Sequence, residues 1–169
     1  MKYTSAQANK LLKKLKEDYA ALQQNEKDSF KFVAALDEDP ESVRPQYDYA
    51  QMQRDMRDLE GKIRRVKHAI NQFNVSTVIE EFGMTIDEML VYIPQLTNLK
   101  QRLQVMKGKL PKARVQHQYG NNSNIIDYEY INYDLDEVKR DYDLVSDELS
   151  KAQLALDTIN NSVEFELEI

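Results

Sequence analysis

Residues 49–73 read YAQMQRDMRDLEGKIRRVKHAINQF. Tyr49, Met52, Met56, Leu59, Ile63, Val66, Ile70 and Phe73 stand at alternating steps of three and four, and all eight are apolar. Between them only Ala50, Gly61 and Ala69 are neither polar nor charged. A seam this narrow, held at period 3.5, is the pattern of a helix laid along one partner in a coiled coil. A globular helix would show a broader apolar face. Gly61 falls on the outward side, where a missing side chain removes no core contact.

The same period continues on both sides. Upstream, Ala8, Leu12, Leu15, Tyr19, Leu22, Val33 and Leu36 keep it, with Glu26 and Ser29 filling the register. Thr4 or Ser5 is the expected N-cap, and the acidic run before Pro40 ends the pattern. The spacing predicts a first helix over about 5–36, a connector at 40–46 holding Pro40 and Pro45, and a second helix over about 46–74. Downstream, residues 77–82 are rich in β-branched side chains and end at Gly83, which predicts a short extended segment and a turn. Thr85 with Glu88 matches a capping box. A third helix over about 86–110 carries Met89, Ile93, Leu96, Leu99, Leu103, Met106 and Leu110. Pro94 should kink it or reset its start, and Pro111 stops it. A fourth helix over about 134–162 carries Leu135, Val138, Tyr142, Val145, Leu149, Ala152, Leu156 and Ile159 behind Asp134 as cap. Between the last two helices, alternation around a Gly-Asn-rich cluster predicts a β-hairpin over about 114–133. The tail alternates Val163, Phe165, Leu167 and Ile169 with three glutamates, which predicts a strand over 163–169. The available partners are the 114–133 hairpin or 77–82.

The expected fold is mostly α, with long antiparallel helical hairpins in a coiled-coil or four-helix arrangement. A small β-sheet comes from the hairpin and the C-terminal strand. All of 1–169 forms one elongated helical domain.

The chain has 169 residues and 19.8 kDa, with no Cys, two His and four Gly. Absence of Cys excludes thiol nucleophiles, disulfides and Cys-ligated metals, and agrees with a cytoplasmic location. His68 and His117 each follow an Arg at the third position before them, so the Glu-x-x-His pairs of di-iron bundles are absent. Glycines at 61, 83, 108 and 120 cannot form a phosphate-binding loop. We expect no enzyme, no cofactor and no metal. No apolar run reaches transmembrane length.

Charge is segregated. Residues 89–126 hold six bases and no acid, whereas 127–169 hold 13 acids against three bases. The bases Lys100, Arg102, Lys107, Lys109, Lys112 and Arg114 form a candidate basic patch. They either contact phosphates, with Tyr119 as a stacking group, or pair with the acidic fourth helix lying antiparallel beside them. The second is expected, because a chain of pI near 5.0 repels phosphate overall. Tyr119, Asn121, Asn122, Tyr128, Tyr130 and Tyr133 form the candidate partner surface, since tyrosine offers a rigid apolar body with a polar tip. The alternative is that these tyrosines cover the bundle end. Asn71 and Asn74 are further candidates, with helix capping as the alternative.

Residues 63–74, IRRVKHAINQFN, followed by Thr77, resemble a heptad helix ending in Ile-Asn-x-x-Asn with Thr soon after. That is the pattern of a small bacterial family of uncharacterised coiled-coil proteins, some of which carry the label septicolysin. Leu156-Asp157, Asn160 and the acidic strand 165–169 are similar to the family's C-terminal part. The resemblance implies a helical-hairpin fold and no agreed activity. The cytolysin label implies pore formation.

The leading expectation is therefore a non-enzymatic, oligomeric coiled-coil protein that acts as a protein–protein interaction or scaffold module. Its partners are a second copy of itself and another protein. Long, narrow seams gain burial when chains pair, which motivates the homodimer or higher oligomer. The alternatives are a nucleic-acid-binding or nucleic-acid-mimicking protein using 100–114 or 127–169, and a membrane-active cytolysin-like protein.

Overall fold

The computed structural model describes residues 1–115 and 127–169. In chain order the elements are β1 (Lys2–Thr4), α1 (Ser5–Ser29), α2 (Pro40–Val43), α3 (Tyr49–Ser76), β2 (Val78–Ile79), β3 (Met84–Thr85), α4 (Ile86–Lys107), β4 (Lys112–Arg114), β5 (Tyr128–Tyr130), α5 (Leu135–Ser162) and β6 (Glu164–Glu166). The fold is mostly α with small antiparallel sheets.

Two antiparallel helix pairs make the molecule: α1 packs along α3, and α4 along α5. Smaller contacts between α3 and α4, and between α1 and α5, join the pairs. The joint is built where α1 and α4 begin and where α3 and α5 end. One packed cluster there holds Phe73, Ile79, Ile86, Met89, Leu96, Leu149 and Ala152. A second holds Ala8, Leu15, Val66, Ile70 and Leu167. Phe165 touches both clusters, and its ring stacks on Phe73 with centroids 4.6 Å apart. Away from the joint the seam of the first pair is only half-buried, as two helices with no third neighbour must be.

The helix starts follow the sequence. Thr4 caps α1 in a box with Gln7, and Thr85 caps α4 in a box with Glu88. Asp134 accepts from the N–H groups of Asp136 and Glu137 at the start of α5. Gly83, at φ 62, turns β2 back onto β3, a backbone region that L side chains avoid.

The helix ends differ from expectation. The first helix stops at Ser29 rather than near 36, and Val33 and Leu36 are fully exposed instead of seated in the seam. Its last seam positions are polar: Glu26 accepts from the Tyr47 hydroxyl and from the Gln53 side chain rather than packing. Past that point the apolar positions have no partner helix to pack on, since α3 begins only at Tyr49. The connector contains one helical turn, α2, capped by Asp39. The second helix starts at Tyr49 behind Asp48, not at 46, and runs on to Ser76. The third ends at Lys107 with Gly108 as cap, and Leu110 lies exposed beyond it. α4 continues through Pro94 without resetting its start, because Pro94 sits on the exposed face. There the carbonyl it leaves unpaired, at exposed Leu90, can turn to water.

The terminal strand covers Glu164–Glu166 and pairs with neither expected partner. It runs antiparallel to β1, with Tyr3 opposite Phe165. The Leu167 N–H donates to the Met1 carbonyl at 2.9 Å, continuing the ladder. Phe165 and Leu167 face the clusters, while the glutamates stay wet. Three residues of β1 carry too little alternation to be read from sequence.

Candidate functional site

The six bases do not form one patch. Lys100 and Lys107, seven residues apart on α4, both lie over the Tyr142 ring of α5, at 5.7 and 4.1 Å from its centroid. Lys107 also pairs with Asp143 at 3.7 Å. These two lysines tie α4 to α5, each contact contributing about 0.5–1 kcal/mol at such exposure. Arg102 points away from that interface, exposed on α4. Lys109 lines a cleft at the far end of the pair.

That far end is shaped by β4 and β5. Their register sets Lys112 opposite Tyr130, Ala113 opposite Glu129, and Arg114 opposite Tyr128. Directly opposed residues share a face. One face therefore presents Lys112, Arg114, Tyr128 and Tyr130 together, all exposed and with no acid among them. The Lys112 ammonium sits 4.1 Å from the Tyr128 ring centroid and 5.4 Å from that of Tyr130. The other face carries Ala113 and Glu129 and borders a cleft of about 520 Å³, which Met106, Lys109, Leu110, Ile131, Tyr133 and also Tyr130 line.

Tyr133 is separate from this face. Its hydroxyl donates to the Met106 carbonyl at 2.7 Å, which satisfies one of the last acceptors of α4. Of the six tyrosine and asparagine candidates, Tyr128 and Tyr130 stand in the shared face, and Tyr133 closes a helix end. Tyr119, Asn121 and Asn122 lie outside the described residues, as does the Gly-Asn turn of the expected hairpin. The described strands begin at Lys112, earlier than the expected 114. Asn71 is exposed on α3 and does not join any of these groups. Asn74 is half-buried beside the joint, and its Oδ1 is buried without a hydrogen-bond partner among the described residues. The last carbonyls of α3 are taken by Ser76, whose hydroxyl donates to Gln72 and Phe73, and by the Thr77 N–H. Asparagine capping does not occur there.

The far end of the first pair is a feature the heptad reading missed. Val33 is 91% exposed and Leu36 102% exposed, directly before Asp37, Glu38 and Asp39. An apolar residue followed at once by an acidic turn was the available signal. A heptad register extended past Glu26 concealed it. Around it, Phe30 lies half-exposed and Tyr49 two-thirds exposed. Burial and a bond to Glu26 raise the Tyr47 hydroxyl above its usual pKa.

Among the described residues, no group of three or more His, Asp or Glu is placed to hold a metal. No helix among them is long and apolar enough to cross a membrane.

No protein-family model and no curated protein matches the chain. The fold is similar to the crystal structure of a functionally unknown conserved protein from Corynebacterium diphtheriae, with a TM-score of 0.61 and 18% identity over 98% of this chain and 100% of that one. At that identity the likeness shows the fold alone.

Proposed function

We propose that this chain is a non-enzymatic, self-associating coiled-coil module of the cytoplasm that binds other proteins through its exposed apolar side chains. One observation carries the reading. The accessible surface is 12768 Å² for 19.8 kDa, against about 8,600 Å² for a compact monomer of that mass. The chain invests its length in reach and surface rather than in a core. Exposed apolar side chains stand at both far ends, Phe30, Val33, Leu36 and Tyr49 at one and Val105, Leu110, Tyr128 and Tyr130 at the other, and also along the helices, as at Leu90, Leu144 and Leu154. Exposed apolar patches on a soluble chain mark places where another molecule sits.

The test is capture from the native host with the wild-type chain and with a Val33→Asp/Leu36→Asp variant as bait. Both side chains are solvent-exposed, so the variant folds as the wild type does. A protein retained by the wild type and lost from the variant supports the reading. Equal capture by both contradicts it.

A second reading rests on the β4–β5 face. Two bases interleaved with two exposed tyrosines suit a single-stranded nucleic acid, whose phosphates meet the cations while its bases stack on the rings. A gel-shift series at low salt with wild type and Lys112→Ala/Arg114→Ala decides it: absence of any shift by the wild type eliminates direct binding.

A further inference from the structure

The two far ends are complementary to each other. The end of the first pair carries Asp37, Glu38 and Asp39 directly after fully exposed Val33 and Leu36; Glu41 and Arg44 offset each other as an ion pair, and the Lys31 ammonium lies over the Phe30 ring. The β4–β5 face is cationic, with Lys112 opposite Tyr130 and Arg114 opposite Tyr128. Within one copy the two are not packed on each other, since Val33 and Leu36 stay fully exposed and both tyrosine rings remain about half-exposed. We infer that the acidic end of one copy docks on the cationic tyrosine face of a second copy, with Leu36 against the tyrosine rings and the acidic turn against Lys112 and Arg114. Opposite potentials select and orient such a contact, and the apolar side chains add the desolvated centre that charge alone lacks. Because each copy carries one of each surface, a twofold pair satisfies both ends of both copies and leaves none free to propagate. This rests on the self-association proposed above and specifies its surfaces.

A charge swap tests it by light scattering on the full-length chain, with circular dichroism confirming helix content. Variant one is Asp37→Lys/Glu38→Lys, and variant two is Lys112→Glu/Arg114→Glu. Each alone meets like charge at both contacts of the pair, so its self-association should weaken at least tenfold. Mixed together they form one original and one reversed contact, so the mixture should recover the mass of the wild-type assembly. Leu36→Ser, at a side chain the fold does not use, should weaken association without altering charge. Wild-type association that persists unchanged in all three variants overturns the docking and leaves self-association standing. A wild type that is monomeric at every concentration overturns both. A monomer whose binding to single-stranded oligonucleotide is lost in Lys112→Glu/Arg114→Glu overturns the docking in favour of nucleic acid.

Discussion

Phe165 is the side chain that both packed clusters share, and it comes from a three-residue strand near the end of the chain. Its replacement by Ala removes the Phe73 stacking and opens a gap between the clusters. Since the ring is only half-buried, the expected loss is about 3 kcal/mol, at the lower end for such truncations, measured by urea unfolding. Phe165→Leu should lose much less. Glu88 offers a pH test. The Thr85 N–H and hydroxyl donate to its carboxylate at 2.7 and 2.9 Å and hold its pKa below the ordinary 4.5. A carboxylate with a lowered folded pKa stabilises above its ordinary pKa, and that contribution fades as pH falls through the folded value. Glu88→Gln should therefore narrow the difference between urea midpoints at about pH 7 and about pH 3. Equal differences in both proteins would show that the capping charge contributes nothing. At this scale the sequence was informative where chemistry is local. Thr85, Glu88 and Asp134 were readable as caps because a cap is defined by spacing alone. Phe165 was readable as inward but not as shared, because sharing depends on what the fold brings to it.

Among the elements, the four long helices were legible from period 3.5, and their starts were better defined than their ends. A start is written in a capping side chain, whereas an end depends on where the partner helix stops. The first helix shows this most clearly: heptad spacing persists to Leu36, yet the chain leaves the helix at Ser29, where Glu26 has turned to Tyr47 and Gln53. Strand pairing was the least legible feature. The alternation of 163–169 announced a strand, but its partner is Lys2–Thr4, almost the whole chain away in sequence. The β2–β3 turn gives an element-scale prediction. Gly83 holds φ 62, and nothing lies within 4 Å of where a Cβ would stand. Gly83→Ala therefore meets no clash and pays only backbone strain, about 1 kcal/mol in thermal or urea unfolding. A loss well above that would mean the turn is packed more tightly than its open surroundings show. Of the candidate site, the tyrosines were legible as a cluster, but only the register divides them. Tyr128 and Tyr130 share a face with Lys112 and Arg114, while Tyr133 turns inward to α4.

At the scale of the whole molecule, the segregated charge has two destinations. Part of it binds α4 to α5 through Lys100, Lys107, Tyr142 and Asp143, as the antiparallel pairing of basic and acidic helices predicts. Lys112 and Arg114, on β4, face outward, opposite in sign to the acidic turn at the other far end. A large surface with complementary ends is the property from which self-association is proposed. Small-angle X-ray scattering over a concentration series reads mass and extension together. We expect a forward-scattering mass of twice 19.8 kDa. We also expect a radius of gyration well above the about 20 Å of a compact globule of that doubled length. A mass of 19.8 kDa at every concentration, with a radius near the about 15 Å of a compact single chain, would contradict both the extended shape and the pairing.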